Sequence, residues 1–303
     1  MKILVSGSTG LMGSALVGGL KQAGHTVCRL VRPDTNAAAI RGSQGFDVRW
    51  NPATGELGAA AVGADAVVNL AGASIAGGRW TAARKELLRS SRVDGTRALV
   101  SALAKMAVRP RVLVSASATG YYGSRGDELL DEASAAGSDF LSGIAKDWEA
   151  EARKAEALGI RVVLARCGVV LAKTGGALPQ MMRPFRFGVG GRIGSGQQWM
   201  SWITLEDVAA ALRFSLENGA VRGPVNFVSP QPVRNAEFTA ALAKALHRPA
   251  LFPAPAFALR LMLGEMADAL LLASQRVVPR QLESLGYRFQ HSDLQAALPV
   301  VLA

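Results

Sequence analysis

The feature that most limits how this chain folds is its opening stretch, KILVSGSTGLMGSALVGGLKQAGH, from Lys2 to His25. Ile3, Leu4 and Val5 make a short apolar, β-branched run, the mark of a buried parallel strand. Gly7-Ser8-Thr9-Gly10-Leu11-Met12-Gly13 follows. Leu11, Ala15, Leu16 and Leu20 then recur at helical spacing, and Gly24 supplies a stop. The glycines therefore fall where a strand turns sharply into a helix. There Gly7 permits the tight turn, Gly10 lets the backbone approach a pyrophosphate, and Gly13 lets the helix pack closely on the strand. The helix N-terminus offers N–H groups and partial positive charge to the phosphates. A glycine-rich turn with no ligand is the alternative, and the flanking strand and helix argue against it.

A chain that starts this way is expected to continue as an α/β fold, a doubly wound parallel sheet of the NAD(P)-binding Rossmann type with a smaller C-terminal substrate lobe. The second strand, Thr26 to Val31, ends at Arg32 and Pro33. An acid at this place hydrogen-bonds a ribose 2′-hydroxyl and favours NAD, whereas a base suits the 2′-phosphate of NADP. Arg32 stands there, with Arg29 close by and Asp34 the only acid near, so the reading is NADP(H). A solvated loop arginine is the alternative.

Length and composition set the outer bounds. The 303 residues suit a Rossmann part over 1–230, with a lid-like insertion at 175–203 facing the substrate cleft, and a small lobe over 249–298. Half the residues are hydrophobic, enough for a large core. Cys28 and Cys167 are the only cysteines, and both lie in apolar runs, so neither a disulfide framework nor a metal site is expected. The first strand begins at residue 2 and the apolar stretch Leu251 to Ala273 is broken by Arg260, Glu265 and Asp268. The expectation is a soluble, cytoplasmic chain without leader or membrane partner. The net charge of +11 comes from scattered bases, mostly arginines, without the dense basic and aromatic run of a nucleic-acid binder. The expected partner is a small-molecule substrate, and a homodimer through the sheet-flanking helices is the expected oligomer.

Along the rest of the chain, a short strand is expected over Phe46–Trp50 and a buried one over Ala66–Leu70. The latter ends at Ala71-Gly72, whose small side chains let a cofactor lie on the backbone. Thr81 caps a helix predicted from Thr81 to Met106, with Arg92 in its middle. A strand over Arg111–Ser115 leads into Ser115-Ala116-Ser117-Ala118-Thr119-Gly120-Tyr121-Tyr122-Gly123. Such hydroxyls at a central strand end lie where ligands bind, although an ordinary turn has the same composition. A helix over Asp139–Leu158 capped by Ser138, a strand over Ile160–Leu164 and the segment Arg166–Leu171 come next. Met181, Met182, Phe185, Phe187 and Trp199 lie between glycines, either closing over a substrate or forming the core of a small lobe. Thr204-Leu205-Glu206-Asp207 opens another helix. A short strand over Val225–Val228 and a helix over Asn235–Leu246 follow.

These pieces resemble a known family. GSTGLMG, NLAG, GGRWTAARKE with SRVDGT, and SASATGYYG are similar to the extended and atypical short-chain dehydrogenase/reductases. PFRFGVGGRIGSGQQWMSWI and LRLMLGEMADALLLASQRVVPRQL resemble the "epimerase family" group within them, including its C-terminal domain of unknown function. The resemblance implies that Gly7, Thr9, Gly10, Leu11, Met12 and Gly13 face the pyrophosphate and Arg32 the 2′-phosphate. It implies that Leu70, Ala71 and Gly72 line the dinucleotide and that Val170 approaches the nicotinamide. Ser117 falls where the larger class orients its substrate.

The departures bear on chemistry. The class uses a Tyr-x-x-x-Lys pair, whose lysine lowers the tyrosine pKa so that the phenolate acts as base. Here Lys146 stands at the lysine position and Ser142 at the tyrosine position, and none of the three tyrosines has a lysine four residues later. Arg92 replaces an asparagine of the class, placing a cation near the cofactor, to hold Glu86, a phosphate or a substrate oxygen. Two functions follow. One is an NADP(H)-dependent oxidoreductase acting on a carbonyl or alcohol, with Tyr121 or Tyr122 beside Ser117, or else Lys146, managing the proton. Nucleotide-sugar epimerisation is its narrower form. The other is a non-catalytic NADP(H)-binding sensor or scaffold.

Overall fold

The computed structural model describes residues 1–33 and 46–303, so Asp34 lies outside the described residues. Strands β1 (Lys2–Ser6), β2 (Thr26–Val31), β3 (Phe46–Asn51), β4 (Glu56–Leu57), β5 (Ala66–Asn69) and β6 (Val112–Ala118) build most of one sheet. After β7 (Leu129–Leu130), strand β8 (Arg161–Cys167) also joins it. The short strands β9 (Val169–Leu171), β10 (Trp199–Met200) and β11 (Trp202–Thr204) lie outside it, as β7 does, and β12 (Gly223–Phe227) completes its edge. The order is β12-β8-β6-β5-β1-β2-β3-β4, parallel throughout except β4. The order reverses between β1 and β5, which makes the crevice beyond their C-terminal ends the ligand site of a doubly wound fold.

Helices cover both faces because the strands are apolar on both. Helix α1 (Leu11–Gln22) and helix α5 (Leu205–Glu217) bury Leu16, Leu20, Val208 and Leu212 against Ile3, Val5, Val68 and Val114. Helix α2 (Ala82–Ala104) buries Leu99 and Leu103 against Leu4, Val67 and Leu113 on the opposite face, and helix α3 (Phe140–Arg153) lies beside it. The local stop and start signals act as expected in two places. Thr81 caps α2 by accepting from Arg84 N–H, and Thr204 caps α5 by accepting from Asp207 N–H. At α3 the cap is Asp139 rather than Ser138, since the Asp139 carboxylate accepts from Ser142 N–H at 2.8 Å. The helix ends at Arg153, and a 3-10 turn carries the chain over 154–158.

A third core lies under the C-terminal part of the chain. It joins helix α4 (Leu178–Arg186), helix α6 (Asn235–Leu246) and, beyond helices α7 (Ala256–Leu263) and α8 (Arg280–Ser284), helix α9 (Leu294–Leu302). Leu178, Met182 and Phe185 pack there with Phe238, Leu242, Leu294 and Leu298. The glycine-rich 175–203 stretch is thus core on one side. The 249–298 stretch is woven into the rest of the molecule. Strand β13 (Arg276–Val277) pairs with β7, and Leu282 is buried with the sheet core. Asp207, fully buried at the start of α5, accepts the N–H groups of Gln290 at 2.8 Å and His291 at 2.9 Å and holds the Tyr287 hydroxyl. Among the described residues, no helix is long and apolar enough to cross a membrane.

Candidate functional site

The glycine turn is held by its own packing. Gly7 has φ +72°, and a Cβ on it would lie 2.7 Å from the Leu70 carbonyl carbon. A Cβ on Gly13 would lie 2.1 Å from the Gly7 carbonyl oxygen. Both glycines are therefore required by contact between β1, α1 and the end of β5. Gly10 differs, because a Cβ there meets only the Gly7 oxygen, at 3.3 Å. It caps α1 without a side-chain bond, and no acid lies in the first turn. This open, positively biased helix start fits a pyrophosphate. Leu70, Ala71 and Gly72 follow β5 on the other side of the switch point. Arg32 is exposed at the end of β2, whereas Arg29 is buried and forks onto Asp47 through bonds of 2.8 and 2.9 Å.

A cavity of about 540 Å³ runs on from this turn. Leu11 and Val170 line it at the end next to the glycine turn, with Ala118 at the end of β6 and Thr119 and Gly120 from the turn that follows. Its far wall comes from Met181 of α4, Ile193, Trp199, Met200 and the π-helical turn at 267–272. The lining is largely apolar. Several of its polar residues have their hydrogen bonds committed. Ser201 Oγ donates to Gln275 O at 2.7 Å, and Asn235 Oδ1 accepts from Ile193 N–H at 2.8 Å. Arg92 is half-buried, its guanidinium donating to Leu88 O and Ala73 O at 3.1 and 3.0 Å and resting over Trp148. Burial, and secondarily Arg84, lowers its pKa from the usual arginine value. Glu86 lies exposed on α2, so the Arg92 bonds go to carbonyls instead. The side chains of Ser74, Thr119, Gln180 and Gln275 line the cavity and have no hydrogen-bond partner among the described residues.

The hydroxyl cluster divides in two. Strand β6 runs to Ala118, three residues beyond the expected Ser115, so Ser117 is a buried strand residue rather than a loop one. Its Oγ donates to Glu149 Oε1 at 2.7 Å. Glu149 takes a two-pronged bond from Arg166, at 2.8 and 2.9 Å, and both residues are almost wholly buried. Arg166 also donates to the Tyr122 hydroxyl at 3.0 Å, which in turn donates to Asn226 Oδ1 at 2.6 Å. The guanidinium lies 3.5 Å from the centre of the Tyr121 ring. Burial alone would lower the Arg166 pKa; its bonds to Glu149 and Tyr122 raise it instead. Burial pushes the Tyr122 phenol up to about 12 in spite of the adjacent guanidinium. Ser117, Tyr121 and Tyr122 are thus gathered around Arg166, and Lys146 is exposed on α3. Ser142 is buried, its hydroxyl 3.0 Å from Gly120 O and 2.8 Å from Asp139 Oδ1. Cys167 lines the cavity, but burial pushes its thiol up to about 12.

Thr119, Gln180 and Gln275 were not singled out by the sequence reading. Thr119 stands inside the hydroxyl segment, but strand alternation would place it with Ser117, and only the 3-10 turn that begins at Thr119 brings it to the lining. Gln180 and Gln275 lie on elements far apart in sequence, and no local pattern marks them.

Comparison with known proteins agrees with this geometry. Residues 3–227 match the NAD dependent epimerase/dehydratase family, and residues 254–299 match a domain of unknown function, DUF1731. An epimerase family protein of Mycobacterium tuberculosis is 45% identical over 297 residues, covering 98% of this chain and 96% of that protein. Epimerase family protein YfhF of Bacillus subtilis is 40% identical over 304 residues, covering 100% and 98%. The crystal structure of human epimerase family protein SDR39U1 with NADPH superposes with a TM-score of 0.88 at 34% identity, covering 100% of this chain and 99% of that one. The chain belongs to the NAD dependent epimerase/dehydratase family, on a Rossmann fold that carries a C-terminal domain of unknown function.

Proposed function

We propose that this protein is an NADP(H)-dependent oxidoreductase acting on a carbonyl or alcohol of a small, mainly apolar substrate. The observation that carries the reading is the continuity of the cavity. It joins Leu11 at the dinucleotide turn and Val170 to a chamber holding uncommitted Thr119, Gln180 and Gln275. Arg32 at the end of β2 and the NADPH in the human relative's structure support the phosphorylated cofactor. Gly7, Thr9, Gly10, Leu11, Met12 and Gly13 would hold its pyrophosphate, and Leu70, Ala71 and Gly72 its flank. The two unpaired cysteines suit a reducing cytoplasm.

When bound, the dinucleotide supplies or accepts a hydride. The chain itself must orient the substrate, exclude water and move one proton. The apolar walls do the excluding. Thr119 offers a hydroxyl to relay a proton between water and the substrate oxygen, and Arg92 offers a cation to negative charge in the cavity. Ser117 and Tyr122 serve by fixing the strand end that presents Thr119. A phenol at about 12 is a poor base near neutral pH, which argues against the narrower epimerase reading.

The test is a fluorescence titration with NADPH and NADH, followed by a carbonyl screen. Preference for NADPH that shrinks in Arg32→Ala, with turnover that falls at least about tenfold in Thr119→Val, is expected. Tight NADPH binding with no turnover on any carbonyl would convert the reading to a non-catalytic sensor. Binding of neither nucleotide would overturn it.

A further inference from the structure

Seven of the fourteen exposed large hydrophobics among the described residues fall in two short segments, 187–189 and 251–262. Phe187 is 81% exposed, Phe257 73% and Leu261 78%. Helix α7 buries none of its residues. The two segments are neighbours in space. Phe252 N–H donates to Gly190 O at 3.0 Å, and Ala254 N–H donates to Arg192 O at 2.8 Å. Ala256 begins α7 next to Gly194, and Phe257 and Leu261 share one row of that helix, four residues apart. These bonds bring the two sets of exposed apolar side chains onto neighbouring stretches of the surface.

The stretches of chain that carry the patch are basic. Residues 174–205 and 238–264 contain no Asp or Glu. They contain Arg183, Arg186, Arg192, Lys244, Arg248 and Arg260. The first acids beyond, Glu265 and Asp268, are paired with Lys85 and Arg260. A two-fold contact between copies through this face would bring two basic surfaces together, which is unfavourable. An anionic lipid surface complements both features, taking the aromatic and aliphatic side chains into its interface and the arginines among its headgroups. Scattered charge alone gave no reason for a lipid partner; the tertiary structure adds the apolar patch beside the bases. Met181, Ile193 and Leu270, which lie close to these segments in the chain, line the cavity.

We propose that this face docks the protein on anionic lipid bilayers. The docking does not rest on the oxidoreductase reading, and its test does not use turnover. Full-length protein is floated with vesicles of equal phosphatidylglycerol and phosphatidylcholine, and with vesicles of phosphatidylcholine alone, at low salt. Binding to the anionic vesicles only, weakened by added salt, is expected. The double variant Phe257→Ser, Leu261→Ser replaces two side chains that are mostly exposed, so its thermal melting should match the parent. Its partition should fall at least about tenfold. Arg183→Glu, Arg186→Glu should lower partition similarly. No binding to anionic vesicles, or binding unchanged in the Phe257→Ser, Leu261→Ser variant, overturns the proposal. So does light scattering that shows a dimer which this variant dissociates, since the patch would then be covered by a second copy.

Discussion

Removing the charge of Glu149 separates a structural network from a catalytic one. Glu149 and Arg166 are 4% and 2% exposed and share two charge-assisted bonds, at 2.8 and 2.9 Å. Glu149→Leu leaves a guanidinium buried without its counter-ion, and Arg166→Met leaves a carboxylate in the same state. Breaking a buried pair from one side costs about 3–5 kcal/mol. In the double variant both charges are gone. The remaining penalty is the Ser117 hydroxyl, which loses its acceptor, and the Tyr122 hydroxyl, which loses one donor. At about 1 kcal/mol each, the double variant should lose about 2 kcal/mol, less than either single. Urea unfolding of the four proteins, followed by tryptophan fluorescence, gives the cycle. NADPH affinity of the folded single variants should stay near the parent value. Single losses below about 1 kcal/mol, or a double loss equal to the sum, would refute the assignment of this cluster as the clamp at the end of β6.

The glycine turn makes a paired prediction. Gly13→Ala puts a Cβ 2.1 Å from the Gly7 oxygen and should abolish soluble folded protein, whereas Gly10→Ala should fold and lose NADPH affinity at least about tenfold by titration. Tyr122 carries a pH dependence. Its folded pKa of about 12 lies above the ordinary phenol value near 10, so its stabilisation is complete below about pH 10 and is lost as pH rises toward 12. That loss amounts to about 3 kcal/mol, and alkaline unfolding of Tyr122→Phe should show a correspondingly flatter decline over this range. Asp207→Ala removes the acceptor of Gln290 and His291 N–H. It should cost about 3 kcal/mol and expose the 286–293 segment to limited proteolysis; an unchanged digestion pattern would contradict the tether.

Much of the scaffold was legible in the sequence because its signals are local. The strand, turn and helix of residues 2–22 follow from apolar spacing and glycine placement. The Thr81 and Thr204 caps lie within three residues of the N–H groups they accept from. The reading failed where the deciding contact was remote. Ser138 and Asp139 are equally good caps by residue type, and the chain direction entering α3 chose Asp139. The aromatics and methionines of 178–187 read as lid or core, and only the positions of α6 and α9 assign Leu178, Met182 and Phe185 to a core.

By itself the sequence determined the fold class, the place of the dinucleotide turn and the absence of a tyrosine at the family's usual catalytic position. Each of these is encoded in neighbouring residues. The tertiary structure decided which hydroxyls face the cavity. The extension of β6 to Ala118 buries Ser117 against Glu149, and the 3-10 turn that begins at Thr119 leaves that residue at the lining. Arg166 could be matched with Glu149 only after β8 was laid beside β6 and α3 packed above them. The cavity is likewise assembled from residues between Leu11 and Gln275. Burial and mutual approach set the state of those groups, and both are properties of the packed chain.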